Sequence, residues 1–539
     1  MGDSKDQNTT VSSVPIQGHD IAEEDVEGLL TARPKNETDF SYLTQLDDIP
    51  QGRHLGLYST IVLFVSRMLG SGIFATSSKI YENSSGSPFL FLLAWLLAAL
   101  VAFSGLYIFL ELGSLVPRSG GSKVFLEYIY TKPYMLAGYV FSAYSVLFGF
   151  SISNALVFGE YVLHSLGVQP SETKIRVVGL GLVYFVSAVH GYSVHHGIKV
   201  QNFLGALKLF LLLVIAVTSV YSTFFPQSFT HIEPQLTWGN FFKSSTKFSF
   251  AKFTSAILEA SFSFSGWGSV HTVTNEVINP ERTLRIAGPL SLTMVFVAYF
   301  LMNIAYLVVI PASEFVDSGK LVGSILFEKV FGERIGRYIL STSIALSSGG
   351  NVFVVIYTIS RLSQEVFREG HFPYSRFMAS NWPFGSPLPT ILLSAFITTL
   401  IVFLPKADVY NYIISLEGYM TQIFLLFTAL GIFILRKREP EIRAPIRASI
   451  IGTFFVILMS VYLIISPFVS KSNPNPVGLE SWPSYSVISV LTLSFLTLCW
   501  ALKFYFFPWI YSYRLVREDV ILEDGLTMKE WQKIPSYRI

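Results

Sequence analysis

The chain has 539 residues, 51% of them hydrophobic and 14% charged, with a formal net charge of +2. Soluble domains carry about 25% charged residues, so this composition excludes an ordinary soluble protein, and the near-neutral charge implies no nucleic-acid partner. The single cysteine, Cys499, rules out an intrachain disulfide and a thiolate metal cluster.

Residues 1–50 are polar and acidic, with Asp20, Glu23, Glu24, Asp25 and Glu27 close together. They hold too little apolar surface to bury and read as a disordered cytoplasmic tail. They also lack the apolar core of a cleavable signal peptide, so the first membrane segment is expected to serve as the signal. From residue 55 the chain runs through about twelve apolar stretches, each suited to a bilayer of roughly 30 Å. They fall near 55–82, 88–116, 134–164, 175–195, 199–225, 250–279, 284–311, 335–368, 387–404, 409–435, 446–469 and 483–510, and a polar tail, 511–539, follows. The fold class expected is an all-α polytopic membrane protein.

Loops rich in Lys and Arg mark the cytoplasmic side. Arg436, Lys437, Arg438, Arg443 and Arg447 follow the tenth stretch, and Arg118, Lys123 and Lys132 follow the second. Arg282 and Arg285 follow the sixth, and Arg368 and Arg376 the eighth. All lie on one side, which places both tails in the cytoplasm, although the opposite side carries Lys320, Lys329 and Arg334. The sequons at Asn8 and Asn36 then lie inside and Asn83 too near the membrane, so none is expected to be glycosylated. Lys5 and Lys35 in the first tail are available for ubiquitin and the endocytic machinery.

Two of the stretches carry glycine breaks at matching places: Gly70-Ser71-Gly72 in the first and Gly266-Trp267-Gly268 in the sixth. Paired interruptions in two halves of a chain point to a secondary transporter with its substrate at the breaks; glycines that merely let helices pack closely are the plainer reading. Broken backbone is tolerated in a bilayer only where it is buried in protein or lines a cavity. The half-helix beginning near Ile73 offers free N–H groups and a partial positive charge, which suit a carboxylate. The half-helix ending near Ser265 offers carbonyls, which suit an ammonium. Together they describe a receptor for a zwitterion. Phe264 and Trp267 stand at the second break, where an aromatic ring covers a ligand or simply packs.

Ionisable residues inside spans are functional candidates. Lys208 has apolar neighbours on both sides; it is a structural cation, a coupling group with a lowered proton affinity, or a lysine snorkelling to the interface. The intramembrane acids are Glu111, Glu160, Glu259 and Glu417. Glu259, about one and a half turns before the second break, is a candidate proton carrier, and the sequence alone does not choose among the four. No His–Glu–His spacing suggests a metal, and no cofactor is expected.

Five ordered motifs carry a family resemblance. They are Gly70-Ser71-Gly72-Ile73-Phe74; Glu111-Leu-Gly with Pro117-Arg-Ser-Gly-Gly121; Phe158-Gly-Glu160-Tyr161; Phe264-Ser-Gly-Trp267 with Glu276-Val-Ile-Asn279-Pro280-Glu281-Arg282-Thr283; and Arg361 with Arg368-Glu-Gly370-His371-Phe-Pro373. Over roughly residues 50–440 the chain resembles the amino acid–polyamine–organocation superfamily, within it the L-type branch and the fungal methionine permeases. The resemblance implies a LeuT-like fold of two inverted five-helix repeats, 51–225 and 226–435, followed by two further helices in 436–510, with helices 1 and 6 broken. It implies that Ser71 and Gly72 bind a substrate carboxylate, that carbonyls near Phe264 and Ser265 bind the amine, and that Phe264 is a gate. It places Lys208 at the second sodium position, which argues against sodium coupling, and the fungal branch implies proton symport. Ser265-Gly266-Trp267-Gly268 departs from the family's double glycine before tryptophan and leaves the side-chain pocket open.

The function expected is import of a neutral amino acid, methionine first and cysteine next, by proton symport at the plasma membrane. A broad neutral exchanger and a non-transporting amino acid receptor are the alternatives. An enzyme is not expected, because the spans hold no aspartate pair. Nor is a disulfide-linked heavy chain, because Cys499 lies within the twelfth stretch.

Overall fold

The computed structural model describes residues 52–70, 72–149, 152–225, 233–403, 409–469 and 482–535. The acidic tail, its lysines and sequons, and Ser71 of the first motif lie outside the described residues.

In chain order the helices are α1 (Leu57–Met68), α2 (Gly72–Ala75), α3 (Ser77–Asn83), α4 (Pro88–Leu115), α5 (Ser122–Ile129), α6 (Leu136–Leu147), α7 (Ser153–Ser165), α8 (Glu172–Tyr192), α9 (Val194–Phe224) and α10 (Phe250–Ser263). A 3₁₀ segment, Ser269–Glu276, follows the second break. Next come α11 (Pro280–Val309), α12 (Ala312–Asp317), α13 (Val322–Phe331), α14 (Ser341–Arg368), α15 (Ser375–Ala379), α16 (Leu388–Val402), α17 (Val409–Arg438), α18 (Ile450–Val469), α19 (Tyr485–Ala501) and α20 (Phe507–Tyr511).

Among the described residues nine helical segments are long and apolar enough to cross a membrane. The third and sixth expected stretches fall short because each is interrupted, into α6 and α7 and into α10 and the 3₁₀ segment; the ninth, α16, is a shorter apolar helix. Phe203, Phe210, Leu213 and Val217 on α9 are more than half exposed. Such an apolar surface belongs against lipid rather than water. The chain is therefore a multi-pass membrane protein.

One expectation needs correction. The fold is not all-α: within the polar tail β1 (Tyr513–Ile521) pairs antiparallel with β2 (Thr527–Pro535), so the chain is predominantly rather than wholly helical. The turn explains it. Gly525 takes φ +81, its N–H bonds Leu522 O at 2.9 Å, and Leu526 N–H bonds Asp524 Oδ1 at 3.2 Å. Asp-Gly is a strong hairpin signal. Leu522, Leu526 and Met528 are buried in a cluster with Phe367 and Ala379, which gives the hairpin an apolar anchor.

The two broken segments meet along their length. Leu55 forms a parallel bridge with Val277, closed by Leu55 N–H to Glu276 O at 2.9 Å and Ile278 N–H to Leu55 O at 2.9 Å. Further along, α10 packs against α2 and α3. Helices α9, α11 and α14 surround α1.

Candidate functional site

At the first break the helix ends of α1 lose their intrahelical partners, as any interrupted helix must. The structure supplies replacements from three other helices. Lys208 Nζ on α9 donates to Ser66 O and Leu69 O, both at 2.8 Å. Asn351 Nδ2 on α14 donates to Ser66 O and Arg67 O, both at 2.8 Å. Tyr299 OH on α11 donates to Met68 O at 2.8 Å. A cation at a helix C-terminus also meets the negative end of the helix dipole. Lys208 is only 1% exposed and its ammonium points into the break, so it does not snorkel.

Across the break the N–H groups of Gly72, Ile73 and Phe74 begin α2 and make no hydrogen bond among the described residues. Gly72 is there because nothing larger fits: a β-carbon would stand 2.5 Å from Ser263 Oγ and 2.6 Å from Ser263 Cα. Gly70 is equally confined, 2.6 Å from the Asn154 and Asn351 side-chain amides.

The second break is built differently. After α10 the chain turns through Ser265 N–H to Phe262 O at 2.9 Å and Ser269 N–H to Gly266 O at 3.0 Å. Gly266 sits at φ +109 with Arg67 of α1 pressed against it, so a side chain there is excluded twice. Phe264 is buried edge-on to Trp95 at 5.8 Å and against Tyr299 at 5.3 Å. Trp267 packs edge-on to Phe109 at 5.0 Å, its far edge against Gly105.

A cavity of about 220 Å³ opens beside the second break. Ser265, Gly266, Trp267 and Gly268 line it, with Arg67 from α1, Ala102 and Phe109 from α4, and Glu417, Thr421 and Gln422 from α17. Pockets for drug-sized ligands run about 300–1,000 Å³, so this volume suits a smaller molecule. Of the residues expected from sequence, Gly70, Gly72, Ile73, Phe264, Lys208 and Glu259 are not among its lining residues. Glu259 is 3% exposed and accepts from Asn83 Nδ2 at 3.3 and 3.4 Å. Two larger cavities fit a zwitterion less well. One, of about 260 Å³, has almost wholly apolar walls such as Leu136, Val140, Phe424 and Leu493. The other, of about 620 Å³, lies among exposed Arg53, Arg282 and Arg285 at the end of α11.

Sequence reasoning missed Arg67 as a wall of the site. The signal was present: an arginine in the apolar run three residues before Gly70. Among the described residues no group of three or more His, Cys, Asp or Glu could hold a metal.

The remaining motif charges gather at helix ends, away from the cavity. Glu276 pairs with Arg361 Nε at 3.0 Å, accepts from Tyr357 OH at 2.5 Å and meets His54 Nε2 at 3.0 Å. That hydrogen bond to Glu276 outweighs burial and raises the His54 pKa above its ordinary 6.5. Lys123 bridges Glu127 at 2.9 Å and Glu369 at 2.6 Å. Burial opposes ionisation of Glu369, but the charges of Lys123 and Arg517 hold its carboxyl well below the usual range. Glu111 takes Arg436 at 2.6 Å and the Ala448 N–H at 2.6 Å.

The amino acid permease family model matches residues 55–495, which contain both breaks and every wall of the cavity. The chain belongs to the amino acid permease family. It is 43% identical over 490 residues to a low-affinity methionine permease of Saccharomyces cerevisiae, covering 90% of this chain and 89% of that protein. It is 31% identical over 511 residues to a high-affinity methionine permease of the same yeast, covering 90% and 84%. The large neutral amino acids transporter small subunit 2 of Mus musculus is 29% identical over 440 residues, covering 79% and 78%. These relatives are transporters, and this family member is an amino acid transporter rather than an enzyme.

Proposed function

We propose that the protein imports neutral amino acids, methionine first and cysteine or other small thio-amino acids next, by proton symport with alternating access. The reading places it in the plasma membrane with both termini cytoplasmic. It adopts the LeuT-like arrangement of about twelve helices, with inverted repeats at 51–225 and 226–435 and two further helices in 436–510. The observation that carries it is the cavity walled by the second break at Ser265–Gly268 and by Arg67 of the first broken segment, together with the N–H groups of Gly72 and Ile73, which make no hydrogen bond among the described residues. The relatives named as methionine permeases supply the substrate.

In this reading the carboxylate meets the N–H groups of Ser71, Gly72 and Ile73, and the amine meets carbonyls near Phe264 and Ser265. Trp267 shapes the side-chain pocket with Gly266 and Gly268. Phe264 closes the site from the Trp95 side. The Lys208 ammonium, bonded to Ser66 O and Leu69 O, fills a place that sodium would otherwise take, which leaves the proton to couple transport. A transmembrane potential adds about 2.3 kcal/mol per charge per 100 mV.

The test is uptake of radiolabelled methionine into liposomes holding the purified protein, with and without an inward proton gradient, competed by a panel of unlabelled amino acids. Gradient-driven accumulation blocked by methionine is expected. Uptake only into liposomes preloaded with amino acid would replace symport with exchange. Binding without uptake would replace the transporter with a receptor.

A further inference from the structure

Four acids lie within the apolar stretches, and the structure separates them. Glu111 is bound by Arg436 and a backbone N–H. Glu259 accepts from Asn83, and Glu160 is a wall of no cavity described above. Glu417 alone of the four lines the cavity beside the second break.

Its setting is unusual. Arg67 lines the same cavity, and the two charges interact electrostatically. Yet Arg67 and Glu417 form no ion pair within 4.0 Å and no hydrogen bond among the described residues, and the Arg67 Nε is buried without a partner. Two opposite charges therefore line one amino-acid-sized space without closing on each other. Tyr144 of α6 also interacts electrostatically with Glu417. The ionisable groups on the other helices packed against α17 include Glu111 of α4, Lys123 and Glu127 of α5, Lys252 and Glu259 of α10, Tyr462 of α18 and Tyr485 of α19.

We propose that Glu417 is the group that binds the transported proton, with Arg67 as the counter-charge that links proton binding to substrate binding. The inference rests on the proton-coupled reading above and names the residue that performs it. With Glu417 ionised, its charge balances Arg67. A zwitterion whose carboxylate lies against the N–H groups of the first break brings that charge within reach of Arg67, on the same segment, and competes for it. Glu417 then loses its counter-charge and takes up a proton, forming one O–H bond. Protonation in turn leaves the Arg67 charge to the substrate. The linkage is reciprocal: proton and amino acid each strengthen the binding of the other. When the site opens inward, loss of the substrate returns Arg67 to Glu417, and the proton leaves to the cytoplasm.

Radiolabelled methionine binding to the purified full-length protein, measured from pH 5 to pH 9, tests the assignment. Wild-type affinity should weaken as pH rises, approaching about tenfold per pH unit for one linked proton. In Glu417→Gln the dependence should vanish, and Glu417→Asp should restore it at a shifted pH. An unaltered pH profile in Glu417→Gln, or a profile flattened by Glu259→Gln instead, overturns the proposal. A ligand-free measurement separates this from failure of the methionine reading. The infrared absorption of protonated carboxyl groups, compared between pH 5 and pH 9, should lose one titrating band in Glu417→Gln. Loss of that band in a protein that binds no methionine would sustain the proton site and reject the substrate. Persistence of every band rejects the proton site.

Discussion

The two breaks look alike in sequence and are finished in opposite ways. At the first, every freed carbonyl from Ser66 to Leu69 has a donor from another helix: Lys208, Asn351, Tyr299 or, at 3.4 Å, Ser347. Gly70 and Gly72 are packed until a β-carbon cannot enter. At the second, the chain satisfies itself through short local turns, and Ser265 to Gly268 face a cavity. The first break is a junction in which four helices are fastened together; the second is a wall. The same departure from helical geometry therefore ends in carbonyls fastened to other helices in one place and in the wall of a cavity in the other. Substitutions of the side chains that hold the first break's carbonyls should lower stability as well as uptake, and those at the second break should read out mainly in binding.

Lys208→Met gives the largest expected effect. It strips a donor from Ser66 O and Leu69 O in a dry setting, and a buried acceptor left short costs about 1–3 kcal/mol. Asn351 still serves Ser66 O, so the loss should fall near 2–4 kcal/mol for the pair of bonds, seen as a lower unfolding temperature in detergent together with lost uptake. A Lys208→Met protein as stable as wild type would dissolve the contrast, because the first break would then need no cation.

Gly72→Val comes next. Its side chain must enter the space of Ser263, and overpacking of this kind costs about 1–3 kcal/mol. Uptake should fall to background, since α2 and α10 can no longer approach. Saturable uptake at wild-type level would show that the first break tolerates separation and lies outside the transport site.

Both breaks were legible because glycine pairs recur at matching places in two apolar runs, and Lys208 because a charge among leucines is conspicuous. What each did was not legible. Lys208 meets carbonyls that lie 139 and 142 positions away, and only the packing of α9 on α1 brings them together. Arg67 was passed over although it lies next to the glycines, because nothing local says that it faces Gly266 across the fold. Choosing among the acids had the same difficulty: Glu259 is nearer the second break in sequence, while Glu417 is nearer the cavity in space. The C-terminal hairpin is a different case. Asp524-Gly525 is a local turn signal, and its polar strands hid it, since Arg517, Glu518, Asp519 and Lys529 read as solvated tail.

Trp267→Phe sharpens the comparison from the other side. Phenylalanine keeps the edge contact with Phe109 and the backbone turn, so stability should change by less than about 1.5 kcal/mol. The cavity gains room where the indole stood, and methionine should bind several-fold more weakly while larger neutral amino acids compete better. Competition binding with methionine and leucine measures both. A large stability loss with unchanged selectivity would place Trp267 in the packing and move the side-chain pocket elsewhere.

The smallest effect concerns the joint between the two broken segments, where His54 meets Glu276 beside the Leu55–Val277 bridge. The bond to Glu276 raises the His54 pKa in the folded protein above 6.5. A group of this kind adds its full stabilisation below the unfolded value and loses it as pH climbs through the folded one. The joint is therefore tightest in acid and weakens as the pH climbs past the raised His54 value. His54 is partly exposed, which limits the contribution to about 1 kcal/mol or less. His54→Gln should lower the unfolding temperature at pH 5.5 and hardly change it at pH 9. An equal difference at both pH values would mean that the imidazole acts by packing alone, and that the two broken segments are tied by backbone bonds without help from the charge.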